Sequence, residues 1–176
     1  RNEGDAMPSA VLMLLFEEEK KWSFFLMERS NDVEYHRGQI SLPGGAQEKG
    51  EDLEGTALRE ANEEIGIVPA SVNMLGEITP LFIPASGFRV HPFVGWSETV
   101  PKVTIDSNEV AELHKVKVEN LLDDSRMKQE QREIRGFNVN VPYFHLNQLK
   151  VWGATAAILS ECKDIFSKCY LMENTL

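Results

Sequence analysis

One stretch, Gly45 to Ile67, constrains the chain more than any other. Pro43-Gly44-Gly45 forms a glycine-rich loop and runs into an acidic segment. From Leu53 to Ile65 there is no proline and most residues are good helix formers, which predicts a helix. Asp52 suits its N-cap, and Gly66 suits its C-terminal stop. Leu53, Ala57, Leu58, Ala61 and Ile65 recur at helical spacing, so that side is expected to be buried. Glu60, Glu63 and Glu64 fall within an arc of roughly 100° beside it, because i, i+3 and i+4 are neighbours on a helix.

Three carboxylates that close repel one another, at a cost of about a few tenths of a kcal/mol per pair. A divalent cation reverses the sign of that interaction, and carboxylate oxygens suit the hard cations Mg²⁺ or Mn²⁺. Arg59 is in reach of Glu63 or of Glu51, and either pairing fixes side-chain direction without adding a metal ligand. Gly44 and Gly45 let backbone come close to a cation or a phosphate. For a glutamate triplet alone, a solvated helix face is the commoner outcome. The wider framework argues against it. Gly45, five residues, Glu51, seven residues, then Arg59-Glu60-x-x-Glu63-Glu64-x-Gly66 sets seven positions. Its chance occurrence is on the order of 10⁻⁸ per start position at average residue usage.

That framework resembles the Nudix box, the signature of hydrolases acting on nucleoside diphosphates linked to another group. The resemblance implies an α/β fold, the Nudix-type α/β/α sandwich with a mixed β-sheet. It implies attack of water on one phosphorus of a diphosphate, with one to three Mg²⁺ or Mn²⁺ ions as cofactor. Glu60 and Glu64 would be the principal metal ligands, Glu63 a third, and the Gly45 carbonyl would complete the shell. Glu60 or the distant Glu109 is the candidate for removing the proton from water. For Glu109 a solvated strand-entry acid is an equal reading. Ala61 stands where the family usually has a larger aliphatic residue, and it still fits a buried helix face.

The likeness continues outside the box. Arg29-Ser30, His36-x-Gly38-Gln39-Ile40-Ser41-Leu42-Pro43-Gly44-Gly45, Thr56-Ala57-Leu58, Pro92-Phe93-Val94-Gly95, Glu109-Val110-Ala111-Glu112 and Val151-Trp152-Gly153-Ala154-Thr155-Ala156 resemble the coenzyme A pyrophosphatase branch. Glu34 departs from a position often basic in that branch, and Leu42 from one often aromatic. The branch implies coenzyme A or an acyl-CoA as substrate, giving 3′,5′-ADP and (acyl-)phosphopantetheine. Arg29, Arg37 and Arg89 are candidate phosphate contacts, since guanidinium forks match phosphate oxygens; each is more often a solvated surface residue. His36 either orients its loop or touches ligand, and Gly44 is expected at the substrate. Trp96 and Trp152 either stack a base or belong to the core, the commoner outcome. Two other functions fit the box: an ADP-sugar pyrophosphatase, and a non-catalytic Nudix-fold binding module. Such modules commonly lose box carboxylates, and all three are intact here.

The remaining chain reads as one domain over residues 1–176, with residues 1–9 a loosely held start. Strands are expected at Ala10 to Phe16, buried on both faces, and at Trp22 to Glu28, the two forming a hairpin. Residues 30–37 read as a loop and 39–42 as a short extended piece. Further strands are expected at Val72 to Ile78, at Phe88 to Trp96 with Pro92 marking an edge or bulge, and within Glu109 to Val118. Residues 79–87 read as a loop, 119–124 as a helical turn, 127–134 and 137–141 as a hairpin, and Gly153 to Leu171 as an amphipathic helix. The net charge of −10 argues against nonspecific nucleic-acid or membrane-surface binding; the partner that the resemblance implies is a small nucleoside diphosphate. No apolar run approaches a membrane span. Cys162 and Cys169 sit about 10 Å apart on the expected helix, too far to bridge. These bounds point to a cytoplasmic protein, working as a monomer or homodimer.

Overall fold

The computed structural model describes residues 3–30, 38–134 and 136–173. Strands β1 (Met7–Glu18) and β2 (Lys21–Arg29) make the expected hairpin. Glu19 and Lys20 both take positive φ at its turn, the geometry whose twist matches the strands. The loosely held start does not extend to residue 9. Met7 to Ser9 pair with Phe88 to Val90, and Ser9 also opposes Ala46, so the end of the polar 1–9 stretch is held as strand.

The main sheet runs β3 (Ile40–Ser41), β2, β1, β7 (Phe88–Ser97), β5 (Asn73–Glu77). Also paired into it are β4 (Gly44–Ala46) on β1, β6 (Leu81–Ile83) on β7 and β8 (Val110–Lys117) on β2. Among the described residues β1 and β7 pair in parallel and the other pairs are antiparallel, so the sheet is mixed. Two stretches expected as loops contain strands: residues 79–87 include β6, and the glycines after Pro43 form β4.

Pro92 lies inside the interior strand β7, between β1 and β5, not at an outer edge. Its carbonyl accepts from the Ile78 N–H, so its missing donor faces the same side. That side is where β5 has ended and β6 has not begun. The missing donor therefore costs only the reciprocal bond to Ile78, just past the end of β5.

Helix α1 (Leu53–Ile65) covers one face of the sheet. Ala57, Ala61 and Ile65 are buried against Leu12, Leu14 and Phe16 of β1, with Leu53 and Leu58 packed at the margin. The opposite face holds Met13, Phe24 and Leu26 with Ile158, Leu159 and Cys162 of α3 (Gly153–Glu173). Side chains of β1 alternate between these layers, which explains its unbroken apolar run. The result is an α/β/α sandwich.

Helix α2 (Val118–Leu122) leads into a second sheet of β9 (Met127–Ile134), β10 (Phe137–Leu146) and β11 (Leu149–Trp152). The expected hairpin at 127–141 is present. Its second strand runs on to Leu146 and turns at Asn147 and Gln148, both with positive φ, into a third strand. No described helix is long and apolar enough to cross a membrane.

Cys162 and Cys169 both lie on α3 as free thiols, Cys162 buried and Cys169 exposed. Burial pushes the Cys162 thiol up to about 12. A thiol reagent at neutral pH is therefore expected to modify Cys169 quickly and Cys162 only on unfolding. Two equally fast thiols would contradict the packing of α3.

Candidate active site

The N-cap of α1 is Asp52, whose side chain accepts the Gly55 N–H at 2.7 Å. Gly66 closes the helix at φ 74° and donates its N–H to the Asn62 carbonyl. These two ends fix the helix axis, and so fix where the glutamates point.

Glu51 sits just before the helix and anchors it. Its carboxylate accepts from Glu48 N at 2.8 Å, Thr56 Oγ1 at 2.9 Å, and Arg59 Nε and Nη2 at 3.1 and 2.9 Å. The Arg59 hydrogen bonds and the Glu48 amide hold its pKa down at about 2. Arg59 also donates to the Ala46 carbonyl at 3.0 Å and pairs with Glu60 and Glu63, both at 2.9 Å. Both partners expected for Arg59 are engaged, with Glu60 besides. Arg59→Gln should therefore cost about 1–3 kcal/mol of metal-free stability, because it strips charged hydrogen bonds from Glu51. Thermal melts in EDTA measure this, and an unchanged melting temperature would contradict the anchoring role.

The three glutamates occupy different environments. Glu64 is 1 % exposed and accepts the Gly44 N–H at 2.8 Å and Arg29 Nη1 at 3.2 Å. Burial raises its pKa to about 8, against the opposing pull of the Gly44 amide and Arg29. Glu60 is mostly buried and lies against Gly45; a Cβ on Gly45 would sit 2.5 Å from Glu60 Oε1. Burial raises the Glu60 pKa as well, with Arg59 opposing. Glu63 is half-exposed and faces Arg59.

Glu109 stands in the turn before β8, where its carbonyl accepts the Ser30 N–H at 2.8 Å. Its charge pushes up the pKa of both Glu60 and Glu64. The fold thus brings Glu109 to the box acids from 45 residues beyond Glu64.

One buried and one mostly buried carboxylate, both with pKa raised by burial and edged by two further acids, are a donor set suited to a hard divalent cation. The residues present fit Mg²⁺ or Mn²⁺. Glu60 and Glu64 would hold it, with Glu63 and the Gly45 backbone alongside. Glu28, Glu112 and His114 also gather, with ligand atoms within 4.8 Å of one another. There Glu112 is exposed and His114 Nδ1 stands 3.7 Å from its carboxylate.

Beside the acids lies a cavity of about 400 Å³. Gly44, Gly45 and Arg29 form one part of its wall, Val11, Val90 and Ile158 another, and Trp152 with the first residues of α3 a third. Arg29, a proposed phosphate contact, is thus present, tied to Glu64. Gly44 uses its N–H on Glu64. Arg89 does not line the cavity; its guanidinium donates to Glu3 at 3.0 Å. Alternation along β7 turns Arg89 away while Phe88 and Val90 face in. His36 and Arg37 lie outside the described residues, as does Glu34. Ser41 and Ser86 also line the cavity. Neither was singled out as a site residue: Ser41 carries no chemistry apart from its segment, and Ser86 sits in a stretch that reads as plain loop.

The NUDIX domain family model matches residues 6–135. Over 140 residues the chain is 36% identical to NudL, an uncharacterized Nudix hydrolase of Pectobacterium atrosepticum, covering 79% of this chain and 72% of that protein. It is 34% identical over 165 residues to Nudix hydrolase 15, mitochondrial, of Arabidopsis thaliana, covering 89% of this chain and 58% of the relative. Among solved structures, the Nudix hydrolase RenU from M. smegmatis superposes with a TM-score of 0.61. At 14% identity over 92% of this chain and 87% of the other, it speaks to fold alone.

Proposed function

This chain belongs to the Nudix family, and from that premise we propose that it hydrolyses the diphosphate bond of a nucleoside diphosphate derivative in a metal-dependent reaction. The observation that carries the reading is the pair of buried carboxylates, Glu60 and Glu64, held against Gly45 and Gly44. A divalent cation held by Glu60 and Glu64, with Glu63 and the Gly45 backbone alongside, would supply charge neutralisation for the diphosphate and a more acidic attacking water. The chain supplies position. Arg59, pinned by Glu51, keeps Glu60 and Glu63 on one side of α1. Arg29 and the Gly44 amide hold both oxygens of Glu64. Phosphoryl transfer depends on positioning and electrostatics more than covalent help, which suits such a site. Glu60 and Glu109 stay the two candidates for taking the proton from water. Glu109 is the half-buried acid of the two that the fold leaves off the helix.

Coenzyme A or an acyl-CoA is the substrate we propose, on the likeness of the segments around Arg29, His36 to Gly45 and Val151 to Ala156 to that branch. The apolar cavity next to Gly45 supports a substrate with a large organic group on the diphosphate. Two free thiols are in keeping with a cytoplasmic setting. Product analysis across coenzyme A, an acyl-CoA and an ADP-sugar tests this. The expected result is 3′,5′-ADP with phosphopantetheine as the fastest-formed products. Faster cleavage of the ADP-sugar would replace this substrate. No cleavage of any of the three would favour the binding-module reading.

A further inference from the structure

Resting on the proposed diphosphate chemistry, we infer that the cavity beside the box acids seats the nucleobase of the substrate, with Trp152 as its stacking wall. Among the described residues, three residues that line this one cavity each carry a buried side-chain polar atom without a hydrogen-bond partner. The atoms are Arg29 Nε, Ser41 Oγ and Ser86 Oγ. A buried polar atom left unpaired costs free energy, so their convergence on one space points to a ligand that pairs them. A hydroxyl both donates and accepts, which suits the mixed edge of a base. The remaining wall is mostly apolar, with Ser9, Gln39 and Thr155 as its polar members, and includes two aromatic rings, Phe88 and Trp152.

Trp152 is braced from outside this space. The Arg132 guanidinium lies 4.2 Å from its ring centroid, and Arg132 does not line the cavity. Arg132 is held in turn by Glu130, which also pairs with Lys150. A cation covering one part of an indole fixes the plane of the ring. A flat, fixed aromatic wall matches a flat heteroaromatic ring, whereas a flexible aliphatic arm needs no such plane. The cavity reaches from Gly44 and Gly45 to Trp152, so base and diphosphate would occupy one continuous site.

The test is binding of three probes without a diphosphate bond: adenosine 5′-monophosphate, ribose 5-phosphate and 4′-phosphopantetheine. Calorimetry with Mg²⁺ compares the wild type with Trp152→Leu and Trp152→Phe. The wild type should bind the nucleotide more tightly than ribose 5-phosphate. Trp152→Leu should weaken the nucleotide about 10-fold and leave the other two probes unchanged. Trp152→Phe should keep nucleotide affinity within a few-fold while losing the tryptophan fluorescence quench that the nucleotide causes in the wild type. That quench comparison decides the matter if the leucine variant does not fold. Loss of phosphopantetheine binding with nucleotide binding spared would assign the cavity to the arm and overturn the inference. So would a nucleotide that binds no better than ribose 5-phosphate. A wild type that cleaves diphosphates without base dependence overturns this inference alone. One that binds the base but cleaves no diphosphate overturns the function it rests on.

Discussion

Glu64→Gln should lower kcat on the order of 100-fold or more, a barrier change of about 2.7 kcal/mol, and leave the chain folded. The amide keeps the shape and still accepts the Gly44 N–H, whose 2.8 Å bond ties α1 to β4. It removes a charge from the proposed metal shell. In metal-free protein the sign of the stability change reverses the usual expectation for losing an ion pair. The Glu64 pKa is raised from 4.5 to about 8, with burial the largest cause. The fold therefore favours the protonated acid. Its contribution is fully present below the unfolded value near 4.5 and is lost as pH rises towards about 8. Burial raises Glu60 in the same direction. In EDTA the wild type should lose on the order of a few kcal/mol between about pH 5 and about pH 8. Glu64→Gln should lose less and melt above the wild type at about pH 8. Melts at the two pH values, paired with rates in Mg²⁺, make the comparison. A variant that melts well below wild type in EDTA yet turns over normally with Mg²⁺ would make Glu64 a structural residue.

The two glycines before the box should fail in different ways. Gly44 has φ +153°, and a Cβ there would lie 2.2 Å from the Ala10 carbonyl and 2.6 Å from Val11 Cα. Both are backbone atoms of the central strand and have no room to yield. Gly44→Ala should therefore push β4 off β1, take the amide from Glu64, and destabilise the protein by about 3 kcal/mol or more. The nearest atoms to a Cβ on Gly45 are those of the Glu60 carboxylate, at 2.5 to 2.7 Å. That carboxylate can swing away, so Gly45→Ala should fold with nearly wild-type stability. It should lose activity on the order of 100-fold, because Glu60 no longer rests in place. Melting temperatures and Mg²⁺-dependent rates for both variants check this. A fully active Gly45→Ala would mean that the resting position of Glu60 is not its working one.

How far the residues alone reached depends on whether the deciding interaction was local. Helix α1 was legible to the residue at both ends, because its cap, apolar stripe and terminal glycine all lie within its own span. The β1–β2 hairpin was legible for the same reason. What escaped depended on pairing at a distance. Met7 to Ser9 close a polar stretch but are strand because β7 and β4 lie beside them. Pro92 reads as an edge marker, and its tolerance inside β7 needs the gap between β5 and β6. In the site, the pairing of Arg59 with Glu63 followed from helix spacing, and Glu51, the alternative partner just before the helix, is engaged as well. The burial of Glu64 beneath Arg29 did not, since that contact joins residues 35 apart. Arg89 was chosen for its charge, and only strand alternation shows that it turns to Glu3.

The central claim is that the glutamates of α1 form a metal platform for cleaving a diphosphate. Its most direct test is turnover of coenzyme A with Mg²⁺, then in excess EDTA, then after Mg²⁺ is restored, following both products. The account predicts 3′,5′-ADP and phosphopantetheine in the first state, none in the second, and recovery in the third. Full turnover persisting in excess EDTA would contradict it.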